Sequence, residues 1–484
     1  MRALLRTAPF LSLCLAAMAA VRLTMLGTPA GRDEAGFLIV GNAWHDGSSL
    51  YGDYWVDRPP LLIGIMDLAG TVVALRLLGL LACVLLVLGV ARTAYVVRGA
   101  AAARWSGATA ALMCSAPWFG VARTNGEMLA APFVAWGFAL AAHALLRPGP
   151  RSRLLAVGSG GLAACAVLVK QTIVDGLVLA LVLGVVVAWQ DRSRRREVVG
   201  VLGAGLIGVA GALGLGLAAA ATRGTTPPEL FDALVTFRAQ AGEVIRTSAS
   251  SATTDRLGVL VATWLASGLA LVTVLTAWHA WRRREPAVVA TLAVLVFVTG
   301  AAVLGGSYWG HYLFQLVPAA SLAVGLLADH VRPWLRTAVA TVTLVATVGN
   351  LGWNTVVPPH EGARAEAVGT WLRQSGDFDD TAVVAYGQPN VLGGARMSSP
   401  YPYLWSLPVR TRDRDLSQLA RVLDGPRRPT WVVDWSGIRT WGVEPARVTS
   451  ALAQHYRFVA EVCGRSVWLD ERVDRTLSTQ VDCP

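Results

Sequence analysis

Runs of about 20 mainly apolar residues recur along this chain, near 7–27, 74–97, 105–121, 127–146, 152–170, 172–190, 198–221, 257–280, 286–305, 311–329 and 334–352. That length lets a helix cross the hydrocarbon core of a bilayer. Lipid offers the backbone no hydrogen-bond partner, so each run must satisfy itself as a helix. About eleven spans are predicted by this length rule. The runs near 105–121 and 311–329 are short or polar at one end. Only 15% of residues are charged and the mean hydropathy is +0.50. Soluble domains carry about 25% charged residues, so the chain reads as an integral membrane protein.

The cations orient it. The net charge is +11, and every cation but Lys170 is arginine. So basic a chain can signal nucleic-acid binding, but here the arginines sit in short loops between apolar runs. With the N-terminus inside, the inside loops hold Arg92, Arg98 and Arg104; Arg147, Arg151 and Arg153; Arg192, Arg194, Arg195 and Arg196; Arg282, Arg283 and Arg284; and Arg332 and Arg336. The short outside loops hold chiefly Arg123 and Lys170. This is the positive-inside pattern of a membrane protein, not a nucleic-acid footprint. An odd span count then places the C-terminus outside. The MRALLR start and the apolar run after it read as a retained signal anchor rather than a cleaved peptide, because no small-residue cleavage site precedes the next loop.

Two outside loops are long, 28–73 and 222–256. In the second, Leu230, Leu234 and Phe237 recur at helical spacing, as in a helix lying along the membrane surface. From about Trp353 the composition turns soluble. Helix-like EGARAEAVGTWLRQSG, LSQLARVLDG and EPARVTSALAQHY alternate with strand-like TAVVAYG, TWVVDWSG and FVAEVCGRSVWL, which predicts a small α/β domain over 353–484 after a membrane domain over 1–352. Cys14, Cys83, Cys114 and Cys165 lie in apolar spans and read as small hydrophobes. Cys463 and Cys483 can pair with each other if the tail lies outside the cytoplasm. No CxxC or Cys/His spacing suggests structural zinc.

The outer face carries the chemistry. The loop after the first span contains GRDEAGF (31–37) and YGDYWVDRPPLL (51–62). Adjacent Asp33 and Glu34 can supply a general base at the membrane surface, or simply cap a helix. Asp53, Asp57 and Arg58 precede a Pro-Pro step; the guanidinium suits a phosphate, or anchors the loop beside Tyr54 and Trp55 at the interface. Arg123, Asn125 and Glu127 lie in ARTNGEM, as ligands for a phosphate and a hydroxyl or as helix caps. Lys170 either snorkels or neutralises a phosphate. His311 stands among Tyr308, Trp309, Tyr312 and Gln315, as a phosphate or sugar ligand or as an interfacial histidine. The topology sends all five sites to one face, which suggests a pocket for an anionic lipid that carries a polar group.

These motifs resemble the GT-C superfamily of membrane glycosyltransferases, in particular the bacterial branch related to protein O-mannosyltransferases and aminoarabinose transferases (glycosyltransferase family 39-like). The likeness rests on Asp33-Glu34, the Y-x-D-Y-W-x-D-R-P-P-L segment at 51–61, the Arg123/Asn125/Glu127 loop, Lys170-Gln171, and H-Y-x-x-Q-x-x-P at 311–318, and covers roughly the first 350 residues. It implies a polytopic α-helical GT-C fold with an extracytoplasmic tail. It implies a polyprenyl-phosphate-linked sugar as donor, a glycan, lipid or protein acceptor, and reaction on the outer face. Asp33 would deprotonate the acceptor hydroxyl, with inversion. Arg58, Arg123, Lys170 and His311 would stabilise the leaving phosphate, an electrostatic role. Glu34, Asp57 and Glu127 would bind sugar hydroxyls or order the loop, and Asp53 belongs to the same binding segment. Some relatives use a divalent metal; none is predicted here, nor any other cofactor, though Asp33 with another outer carboxylate can hold one. The competing reading is a transporter or flippase of a lipid-linked sugar. It requires polar groups near the midplane, whereas most ionisable residues lie at the span ends, with Asp67 and Asp175 as the candidate exceptions.

Overall fold

A computed structural model describes residues 8–45, 49–247, 251–330, 333–356, 360–385, 387–438 and 443–484. Of the loop residues named above, Arg332 lies outside the described residues, as do the arginines of MRALLR and the side chain of Arg336.

Most of the apolar runs form helices of the expected register. Six are long and apolar enough to cross a membrane: Val72–Arg98, Gly126–Leu146, Ser152–Val169, Arg192–Ala221, Pro286–Leu304 and Gly310–Leu327. A seventh span is broken, Ala252–Ala266 and Leu269–Arg283 meeting at 59°. Gly268 takes the break at φ 80°, a left-handed turn that glycine enters without a Cβ clash. Ala8–Leu23 and Asp175–Gln190 are apolar but shorter, and the run near 334–352 lies in the 24-residue helix Pro333–Val356. The run near 105–121 does not form a span. Its helix, Ala100–Met113, stops after 14 residues. Pro117 cannot continue a helix, and a single 3₁₀ turn, Pro117–Phe119, ends at Gly120 with φ 71°. By length and apolarity, six of the expected spans qualify among the described residues, or seven with the bent pair.

The chain divides into two compact units. The first comprises Met1–Gly27, Arg76–Ala218 and Ser250–Val357. Its helices close on small residues: a Cβ on Gly160 would lie 1.9 Å from the Gly205 carbonyl oxygen, and one on Gly208 the same distance from that of Val157. Backbones can come so near only where side chains are missing, which is how helices associate without a hydrophobic driving force. The chain order also sorts this unit's ends. Gly126–Leu146 runs from Glu127 to Arg147, Ser152–Val169 returns from Arg153 to Lys170, and Asp175–Gln190 leaves again toward Arg192. Pro286–Leu304 runs from Arg284 toward His311. The arginine-rich turns thus share one end, and Glu127, Lys170, Asp175 and His311 share the other.

The second unit comprises Thr28–Leu75, Ala219–Ala249 and Pro358–Pro484, so both long loops fold with the tail. The sheet runs β1 (Ala382–Ala385), β2 (Trp431–Asp434), β4 (Arg465–Asp470), β3 (Tyr456–Val462). β1 and β2 are parallel and the other pairs antiparallel. A parallel pair needs a crossover, and Ser417–Asp424 lies in that connection, its Leu419 and Leu423 buried against Val383 and Val432. Cys463 and Gly464, both at positive φ, make the two-residue turn between β3 and β4. Cys463 is disulfide-bonded to Cys483. The 222–256 loop starts at a Thr226/Glu229 capping box and buries Leu230, Ala233 and Phe237.

Asp470 at the end of β4 gives this unit a pH signature. Burial pushes its carboxyl up, but hydrogen bonds from Arg428 and Arg472 outweigh that and hold it at about 2, below its ordinary 3.8. A depressed carboxyl stabilises above the unfolded value and loses that contribution as pH falls toward the folded one. The unit is expected to hold through pH 7 and weaken between 3.8 and about 2. Asp470→Asn should remove about 2 kcal/mol at neutral pH, read as a lower tryptophan-fluorescence melting point that no longer depends on acid in that window. An unchanged melt would contradict this role.

Candidate active site

In the second unit, the helix Arg32–His45 opens on the acidic pair. A carboxylate in the first turn meets unpaired N–H groups and the positive end of the helix dipole. Glu34 is buried, 1% exposed, and its Oε2 accepts the Gly31 N–H at 3.0 Å. It closes its own helix. Asp33, one residue earlier, is only half-buried, and its Oδ1 accepts the indole N–H of Trp405 at 3.1 Å. The pair therefore divides: one carboxylate is turned to its own helix, the other is half-buried and bonded to an indole N–H.

The 51–62 loop is tied down by the tail. The Trp55 N–H donates to the Pro402 carbonyl at 3.0 Å, and the Ser399 N–H to the Tyr54 hydroxyl at 3.0 Å. Asp53 is exposed. Asp57 accepts from Arg58 at 2.6 Å and from Arg238 at 2.5 Å. Arg58 also lies over the Phe37 ring, 5.3 Å from its centroid. Asp57 and Arg58 are thus a pair, and any anion reaching Arg58 must share it with Asp57. Arg238 is a cation that sequence reading passed over. Asp67 pairs with Arg223 at 2.9 Å, and Arg223 lies over Trp44.

In the first unit, Asn125 caps the helix Gly126–Leu146 by accepting the Met128 N–H at 2.9 Å. Glu127, 2% exposed, forms an ion pair with Lys170, and His311 Nε2 lies 3.8 Å from the same carboxylate oxygen. Lys170 Nζ lies 4.6 Å from the Tyr312 ring centroid. Gly120 admits His311: a Cβ there would lie 2.8 Å from the His311 Cβ. Below this trio, Gln315 donates to Asp175 at 2.7 Å, and both line a narrow gap with Glu127 and Ile173. Arg123 lies half-buried in the turn before Asn125. The structure brings Glu127, Lys170 and His311 together, an ammonium and an imidazole on a buried carboxylate. Such a group can hold a phosphate while the carboxylate fixes the cations in place.

A third cluster stands at the arginine-rich end of the same unit. Nitrogen or oxygen atoms of His279, Glu285 and His330 all lie within 4.8 Å of one another. Two imidazoles and a carboxylate suit a zinc-class ion in kind. In this structure the guanidinium of Arg98 bonds Glu285 and touches His330. Separation along the chain hid this cluster from motif reading.

No protein-family profile and no curated protein matches the chain. Solved structures do. ArnT from Cupriavidus metallidurans, solved bound to undecaprenyl phosphate, superposes with a TM-score of 0.65 at 15% identity, covering 94% of this chain and 97% of that one. An oligosaccharyltransferase from Archaeoglobus fulgidus, tethered to an acceptor peptide, gives 0.53 at 12% identity, over 97% of this chain and 74% of that one. The oligosaccharyltransferase AglB from Archaeoglobus fulgidus, in complex with an inhibitory peptide and a dolichol-phosphate, gives 0.50 at 13% identity, over 88% and 69%. These likenesses show the fold, and with the apolar helices they make the chain a polytopic membrane protein.

Proposed function

We propose, from the GT-C fold that this chain shares with ArnT and the archaeal oligosaccharyltransferase, that it transfers a sugar from a polyprenyl-phosphate carrier to an acceptor hydroxyl at the extracytoplasmic face. The observation that carries this reading is Asp33: a half-exposed carboxylate in the first turn after the first span, oriented by one N–H bond. A base must have a lone pair to receive the proton and a fixed direction. Asp33 has both. The acceptor hydroxyl gives its proton to Asp33 as its oxygen attacks the anomeric carbon; the carbon–oxygen bond to the carrier phosphate breaks, with inversion, and polyprenyl phosphate leaves. Each unit also offers groups for a phosphate: Lys170 and His311 on Glu127, with Arg123, in the first, and Arg58 beside Asp57 in the second. Asp53 and Asp57 serve the sugar and the loop. The nature of the neighbours' ligands, undecaprenyl phosphate in one and dolichol-phosphate in another, supports a lipid phosphate as carrier. The basic loops support a multi-pass topology with the tail outside the cytoplasm. An archaeal neighbour was solved with zinc and sulfate; no residue role here depends on a metal.

Purified protein in detergent, given undecaprenyl-phosphate-linked radiolabelled mannose or arabinose and membrane extract, is expected to release undecaprenyl phosphate and pass label to a non-prenyl acceptor. A full panel of prenyl-phosphate sugars without transfer, by folded protein, would contradict the reading. A flippase needs charged groups in mid-span; Asp67 is ion-paired to Arg223, and Asp175 opens its helix at the end that carries Lys170.

A further inference from the structure

The helix that bears the acidic pair is shaped around one side chain from the tail. Trp405 donates its indole N–H to Asp33. Its ring stacks at a tilt on Phe37, centroids 5.1 Å apart. Between those two residues, Gly36 leaves the room the ring fills: a Cβ there would lie 2.3 Å from the Trp405 ring and 2.8 Å from Pro389. Three positions of the GRDEAGF motif thus meet the same tryptophan, as a hydrogen-bond acceptor, a space and a ring. The docking continues along the helix Pro389–Ala395, where Asn390 donates to the Ala30 carbonyl at 3.2 Å and Gly393 faces Ala35.

We propose that Trp405 is a positioning residue for Asp33, and that the tail thereby completes the catalytic carboxylate rather than serving only as an appendage. This rests on the reading of Asp33 as the base. A single N–H bond to Oδ1 fixes the carboxylate's rotation, while Oδ2 has no hydrogen-bond partner among the described residues. The other charges around Asp33 are few. Arg32 and Glu34 flank it on its own helix, Glu34 turned to Gly31. Arg58 lies across Phe37. The packed segment 389–406 carries one charged residue, Arg396, which is exposed.

Trp405→Phe keeps a ring on Phe37 and removes only the N–H. Turnover should fall about 10- to 100-fold in kcat, the range for a misaligned catalytic group, with the donor KM little changed. A second readout is independent of turnover. A double-mutant cycle on thermal stability of the full-length protein, with Asp33→Ala and Trp405→Phe, measures the N–H bond itself, and a cycle on kcat with Asp33→Asn shows whether Trp405 acts through Asp33. Trp405→Phe should cost little further turnover once Asp33 is changed, and Gly36→Ala, which pushes the ring away, should behave as Trp405→Phe does. Additive effects on kcat would overturn the positioning role. If Asp33→Asn proves fully active while the stability cycle still shows coupling, the N–H bond stands and the base assignment fails.

Discussion

Asp33→Asn is expected to abolish sugar transfer, by about 1,000-fold or more, in a protein that remains folded. The size follows from what a general base contributes, about 100- to 10,000-fold. The retention of fold follows from the geometry. Asparagine has the shape of aspartate and its carbonyl oxygen can still accept the Trp405 N–H. It cannot accept a proton from the acceptor hydroxyl. Glu34→Gln makes the contrast. Glu34 caps its own helix, so its loss should lower stability by roughly 0.3–1 kcal/mol through the helix dipole and leave turnover within a few-fold. Initial rates per monodisperse protein, with melting points beside them, separate the two. Equal damage to turnover by both substitutions would contradict the division of roles within the pair.

Lys170→Met should damage both stability and activity. Glu127 is 2% exposed, Lys170 is its ion-pair partner, and the His311 Nε2 lies 3.8 Å from the same carboxylate. Removing one partner of a buried pair leaves a charge without compensation, worth about 3–5 kcal/mol. The double variant Glu127→Gln with Lys170→Met removes both charges and should recover much of the stability, a coupling that a double-mutant cycle measures directly. Activity should not return with it, because the cation proposed to meet the leaving phosphate is still missing. If the double variant turns over like wild type, Lys170 belongs to the fold alone.

The membrane architecture was legible because its physics is local. A span must be apolar for its whole length, and arginines mark the loops on one side; both can be counted along the chain. One run departs from a continuous helix where a single residue decides. Pro117 stops the run near 105–121 after the helix Ala100–Met113, although the hydropathy there resembles its neighbours. The acidic pair was legible as a motif, but not its division. Asp33 and Glu34 look alike in sequence, and only the N–H groups around them separate the cap from the half-buried carboxylate. Lys170 and Glu127 could each be read as anchor or ligand; that they hold one another depends on the close packing of neighbouring helices. Trp405 was out of reach. It lies 372 residues from Asp33, and nothing in YPYLWS marks an indole N–H aimed at a carboxylate. His279, Glu285 and His330 were missed for the same reason.

The central claim is transfer rather than transport, and sealed vesicles separate the two most directly. The protein would be reconstituted with undecaprenyl-phosphate-linked radiolabelled sugar in the leaflet its tail faces, with acceptor extract on the same side. The label should leave the prenyl carrier for the acceptor on that side, in proportion to the free undecaprenyl phosphate produced. Label that stays on its prenyl phosphate and appears in the opposite leaflet would contradict the account and assign the chain to lipid transport.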